Sequence, residues 1–101
     1  MAGEDEVSAP IPMRRVEDYQ DVVMPGDFYW SLNVSEWPPV RYIGIKLPGG
    51  GFCNIRINVP RGWTWDGNED APTLTPSIFH EPQGGLHSWH GFATAGKLVA
   101  A

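Results

Sequence analysis

RYIGIKLPGGGFCNIRINVP, residues 41–60, decides the fold class. Ile43, Ile45 and Leu47 alternate with Tyr42, Gly44 and Lys46. After the turn, Cys53, Ile55, Ile57 and Val59 alternate with Asn54, Arg56 and Asn58. A period of two marks a strand with one buried face, and Pro48-Gly-Gly-Gly51 is a strong turn signal, so a β-hairpin is predicted. The apolar positions on both arms are odd-numbered. Paired residues must therefore sum to an even number, which Leu47 opposite Gly51 and Leu47 opposite Cys53 both satisfy. A slip of one residue would turn one arm's apolar set to water. Cys53 falls on the apolar face, where a free cysteine behaves as a small hydrophobe.

The same period extends outward. Phe28, Trp30, Leu32 and Val34 alternate with Tyr29, Ser31 and Asn33 until Trp37-Pro-Pro39 breaks the run. Pro60-Arg-Gly62 is the next turn; Trp63 and Trp65 share a face before an Asp66-Gly-Asn68 turn. Strands are predicted over 75–80, 87–93 and 97–100, joined by a Pro82–Gly85 loop and an Ala95-Gly96 turn, with Pro72 and Pro76 excluding a helix. Val16, Tyr19, Gln20 and Val23 follow a helical spacing that predicts one or two turns within residues 14–24. Residues 1–13 are expected to be a disordered or extended acidic lead-in. The expectation is mainly β: one domain over 14–101, an antiparallel sandwich or roll of about five to seven strands with at most one short helix.

Composition narrows the function. The chain has 101 residues, one domain's worth, and a net charge of -5. Six acids stand against Arg14 and Arg15 in residues 1–21, leaving six acids against five bases and a nearly neutral body. Seven scattered basic residues make no phosphate-tracking stripe, so nucleic acid is not an expected partner. No apolar run approaches the roughly 20 residues of a membrane span, and the acidic N-terminus lacks a signal peptide's features. One cysteine allows neither an internal disulfide nor a Cys-based zinc site. A soluble protein of a reducing cytoplasm is expected, with no cofactor and no metal. Its expected partner is a protein or a peptide substrate. Of five tryptophans, at least three are expected in the core, since few leucines are available to fill it. Exposed, Trp63 and Trp65 would instead suggest a sugar-binding surface.

The last hairpin carries the chemistry. With residues 82–85 as its loop, paired positions sum to 167, which sets Ser77 opposite His90 and His80 opposite His87. Directly opposed Cβ atoms lie about 4.5–5.5 Å apart, so the Ser77 hydroxyl and the His90 imidazole can hydrogen-bond. That is the minimum geometry of a base-activated nucleophile, although an ordinary cross-strand polar pair has the same geometry. Pro76 would interrupt the ladder beside Ser77. Asp66, Glu69 and Asp70 lie just upstream, and any of them could orient His90 as the acid of a triad. His80 and His87 would share the face of Ile78 and Trp89, and His90 the face of Ser77, Phe79 and Phe92. Three histidines on two faces do not close a tetrahedral zinc site.

These residues carry a resemblance. Trp63-Thr-Trp-Asp-Gly-Asn68, Pro72-Thr-Leu-Thr-Pro-Ser77-Ile78, Ser88-Trp-His90-Gly-Phe92 and Gly96-Lys-Leu-Val99 follow one another in the order of a Trp-containing strand, a Pro-Ser-Ile core, an aromatic-flanked histidine and a Gly-containing turn. In this the chain resembles a family of small phage and bacterial domains of unknown function, some of whose phage members are mislabelled ammonia monooxygenase. Relatives in bacterial ubiquitin-like conjugation operons are regarded as peptidases that process or remove the ubiquitin-like protein. The resemblance spans residues 26–99 and implies a Ser-His peptidase, with Ser77 matching the serine of Pro-Ser-Ile and His90 the histidine. In a hydrolase of this kind Ser77 would attack, His90 would take its proton, and backbone N–H groups near Ile78 or Phe79 would stabilise the oxyanion. Many relatives carry a Cys-rich cluster suggestive of structural zinc; Val40-Arg41, Gly51-Phe-Cys53 and Leu86-His87 stand at those places here. The alternative function is a non-enzymatic phage protein that binds a host or virion partner, as a defence inhibitor or structural component.

Overall fold

The central hairpin takes the Leu47–Gly51 register: Ile43 pairs with Ile55 and Ile45 with Cys53, and the Leu47 N–H donates to the Gly51 carbonyl at 2.7 Å. The computed structural model describes residues 9–81 and 87–101. In chain order the strands are β1 (Ile11–Pro12), β2 (Arg14–Arg15), β3 (Asp27–Asn33), β4 (Val40–Lys46), β5 (Phe52–Arg56), β6 (Thr64–Trp65), β7 (Leu74–His80), β8 (Trp89–Thr94) and β9 (Lys97–Ala100). They form two sheets, ordered β2-β3-β4-β5 and β1-β9-β8-β7-β6. The protein is mainly β, as its alternation predicts. β1, β2 and β6 have two residues each and bring the strands to nine among the described residues. Two residues are too short to show a period, so sequence alternation does not reveal them.

The core lies between the sheets. Phe28, Ile43, Ile45, Leu47, Ile55 and Ile57 meet Leu74, Ile78, Ala93 and Leu98, all 4% exposed or less. Trp30, Trp63, Trp65, Trp89 and Cys53 pack partly buried against this cluster, whereas Trp37 is 91% exposed. Burial pushes the Cys53 thiol pKa up, which disfavours the reactive thiolate. Cys53 should therefore react with Ellman's reagent far more slowly in the native protein than in urea; equal rates would remove it from the core.

Helical spacing over residues 14–24 yields one short turn, and the rest of the segment is extended or irregular. Arg14–Arg15 is a strand parallel to β3, and one 3-10 turn forms at Tyr19–Asp21. Tyr19, Val23 and Met24 are more than 60% exposed, so their apolar spacing meets no core. What organises the segment is the buried Asp27 carboxylate, which accepts from the Arg14 guanidinium at 3.0 and 2.9 Å and from the Val23 and Met24 N–H groups at 3.0 and 2.9 Å.

The expected lead-in over residues 1–13 holds structure at its end. Ile11 pairs with Leu98 and Pro12 with Lys97, and the Met13 N–H donates to the Gly96 carbonyl at 2.9 Å. Pro12 suits such an edge strand, where a missing N–H costs little. Residues 1–8 lie outside the described residues. Because β1 edges one sheet and β2 the other, this segment ties the two sheets together. A chain starting at Arg14 should lose about 1–3 kcal/mol through exposure of the surface that Ile11 and Met13 cover. Urea unfolding reads this directly, and an unchanged midpoint would mean that the strand contributes nothing.

Candidate active site

Ser77 projects from β7 and His90 from β8, on the face turned away from the core. The Ser77 Oγ lies 3.0 Å from the His90 Nε2. How they meet differs from the uniform register expected. Leu74 pairs with Ala93, a sum of 167, but Ile78 pairs with Gly91, Phe79 with His90 and His80 with Trp89, a sum of 169. Between these pairs, residues 75–77 of β7 stand against Phe92 alone. Two extra residues enter β7 at Pro76, which has no N–H for the ladder, as expected where a proline interrupts a strand. A two-residue shift preserves the face of every side chain. Ser77, Phe79, His90 and Phe92 therefore remain together, and His90 reaches Ser77 along a diagonal from its place opposite Phe79.

Aromatic side chains surround the pair. The Phe79 ring meets His90 edge-on at 6.0 Å between centroids, and the Phe92 ring lies at 6.5 Å on the other flank. Both phenylalanines are exposed, Phe79 by 63% and Phe92 by 41%. Behind Ser77, the Trp63 indole N–H donates to the Ser77 carbonyl at 3.3 Å. This contact was not legible in the sequence, although the Trp-x-Trp pattern marked the residue.

The three acids upstream are engaged elsewhere. Asp66 accepts from the backbone N–H groups of Asn68 and Thr73 at 3.1 and 3.2 Å. Asp70 pairs with Arg15 at 3.0 Å, and Glu69 with Arg41 at 3.0 Å and Arg15 at 3.4 Å. The Arg41 guanidinium lies over the rings of Trp30 and Trp65, 4.6 and 4.9 Å from their centroids, and the two rings pack on each other at 4.5 Å. The Trp30 and Trp65 indoles donate to the Glu69 and Asn68 carbonyls. The acids thus fasten the turn that carries β6 and Trp63 to the rest of the fold. Among the described residues no carboxylate is hydrogen-bonded to His90. The indole N–H groups of Trp63 and Trp65, weighed as a sugar platform, are both committed to backbone carbonyls.

The second expected histidine pair does not form in this register. Trp89 stands opposite His80, and the His87 N–H donates to the Gly49 carbonyl at 3.2 Å. The two-residue shift at Pro76 moves His80 along β8, and the Pro82–Gly85 loop lies outside the described residues. The one cysteine packs against the core, and no three His, Cys, Asp or Glu side chains are grouped to hold a metal among the described residues. No helix among the described residues is long and apolar enough to cross a membrane.

A family model described as the bacterial ubiquitination-like system serine protease (BubE) matches residues 15–101. No curated protein and no solved structure matches the chain.

Proposed function

The chain belongs to the bacterial ubiquitination-like system serine protease family, and on that premise we propose that Ser77 is the nucleophile and His90 the general base of a hydrolase that cleaves a peptide or isopeptide bond in ubiquitin-like protein processing. The observation that carries the reading is the 3.0 Å contact between the Ser77 Oγ and the His90 Nε2. At that distance the imidazole accepts the hydroxyl proton as the oxygen attacks the substrate carbonyl carbon. The new C–O bond forms, the C–N bond breaks, and the proton passes from His90 to the leaving amine. Water, deprotonated by the same imidazole, then releases the acyl group and restores Ser77.

Among the described residues Asp66, Glu69 and Asp70 bond to partners other than His90, so the chemistry is assigned to the Ser-His pair alone. Phe79 and Phe92 flank the imidazole. A fluorophosphonate probe tests the reading. Covalent labelling at Ser77, mapped by mass spectrometry and lost in His90→Ala, is the expected result. Absence of labelling in the intact protein would leave a binding module as the better description.

A further inference from the structure

We infer that the substrate reaches Ser77 as an extended chain, adding as a strand to the edge of β7 that no described strand covers, where the backbone N–H and C=O of Phe79 hold it and its apolar side chain lies against the Phe79 ring. The inference rests on the Ser77–His90 reading and adds the form of the substrate and its position.

β6 covers only the start of β7, through Thr64 with Thr75 and Trp65 with Leu74. Before Thr64 the chain belongs to the other side of the molecule: the Trp63 N–H donates to the Arg56 carbonyl and the Asn58 N–H to the Trp63 carbonyl. From Ser77 to His80, therefore, β7 has β8 on one side and, among the described residues, no strand on the other.

The backbone direction at Phe79 follows from its neighbour. In an antiparallel strand the N–H and C=O of one residue point the same way, and successive residues alternate. The His90 carbonyl accepts from the Ala101 N–H at 3.0 Å, on the side away from β7. Phe79 and His90 are thus a non-hydrogen-bonded pair, and the N–H and C=O of Phe79 face the open edge. Ser77 agrees, since its carbonyl takes the Trp63 indole from that same edge.

The reaction needs its carbonyl there as well. His90 approaches the Ser77 hydroxyl from the β8 side. A carbonyl arriving from the opposite side, along the part of β7 beyond β6, would meet the oxygen away from its bonded proton. An added strand would run about 4.8 Å from β7. The side chain opposite Phe79 would sit about 4.5–5.5 Å from it. The outward positions of β7 and β8, residues 75, 77, 79, 90, 92 and 94, include no Asp, Glu, Lys or Arg, so an apolar side chain suits this place. A flexible segment fits better than a second folded sheet edge, because Trp63 stands over the edge at Ser77 and leaves only a short stretch to pair with.

The test compares N-acetyl-Leu-Val-Leu p-nitrophenyl ester with p-nitrophenyl acetate. The peptidyl ester should have a kcat/KM at least about 100-fold higher. N-methylation of its central amide should remove about tenfold or more of that advantage. Phe79→Pro should collapse the ratio of the two esters, while Phe79→Leu should retain most of it. Proline is tolerated at an N–H that faces an edge, and thermal unfolding verifies that the variant is folded. A ratio unchanged by Phe79→Pro, or an N-methylated ester as good as its parent, would overturn strand addition. Failure of the catalytic reading looks different: neither ester would be hydrolysed in a Ser77-dependent way. Fluorescence anisotropy of a labelled Leu-Val-Leu peptide on Ser77→Ala then decides. Binding that Phe79→Pro abolishes supports the edge, and absence of binding overturns it.

Discussion

Ser77→Ala and His90→Ala are each expected to lower hydrolysis by about 10³-fold or more, with the double variant no worse than either single one. The two groups act as a unit. Without the imidazole the hydroxyl keeps its proton, and without the hydroxyl the imidazole has nothing to activate. Their single 3.0 Å contact makes the coupling direct. Both variants should remain folded, since the pair lies on the outward face and an exposed hydrogen bond of this type contributes only about 0.5–1.5 kcal/mol. Unfolding curves beside the activity measurements separate loss of chemistry from loss of structure. Additive losses, or a Ser77→Ala protein that still hydrolyses at the parent rate, would remove the pair from the mechanism.

The largest effect on stability is expected at Asp27, which is 2% exposed. Asp27→Ala takes the acceptor from the Val23 and Met24 N–H groups and from both nitrogens of the Arg14 fork, and should cost about 3 kcal/mol. The consequence for pH has a definite sign. The Arg14 hydrogen bonds, helped by the two backbone N–H groups and opposed by burial, hold the Asp27 carboxyl far below the ordinary carboxylate range. A pKa lowered by folding stabilises the native state fully above the unfolded value of about 3.9 and progressively less as pH falls below it. The gap in urea midpoint between the parent and Asp27→Ala should therefore be widest near about pH 6 and narrow by about pH 3. A gap independent of pH would mean that the carboxylate's charge plays no part.

Much of the fold was legible in order. The odd-numbered apolar residues of 43–47 and 53–59 determine which face is buried, and the Pro-Gly-Gly-Gly turn narrows the register to two choices. Tertiary packing then selects Leu47 opposite Gly51. The family resemblance was legible through Pro-Ser-Ile and the aromatic-flanked histidine, and a family model bears it out. The contact between Ser77 and His90 was legible for a simpler reason. Side chains on a strand alternate, so any even shift keeps the two on one face, and the sequence alone decided that face. How far along the strand they sit was another matter. The two extra residues at Pro76 bring His90 opposite Phe79, and nothing in the alternation of the sequence counts them.

Partners of the acids were beyond sequence reasoning. Asp66, Glu69 and Asp70 are near Ser77 in the chain. Yet Arg15 and Arg41, remote in sequence, draw Asp70 and Glu69 to the other sheet, and the turn's own amides hold Asp66. Charges choose among partners by distance in the folded protein, and only the packing of the two sheets sets those distances. The short strands obey the same rule. Ile11–Pro12 and Thr64–Trp65 are strands because neighbouring edges offer them hydrogen bonds, and beyond Thr64 no strand among the described residues does the same for the edge of β7. Local alternation determines which side of a strand faces the core, whereas the neighbours of a strand are decided only when the sheets assemble.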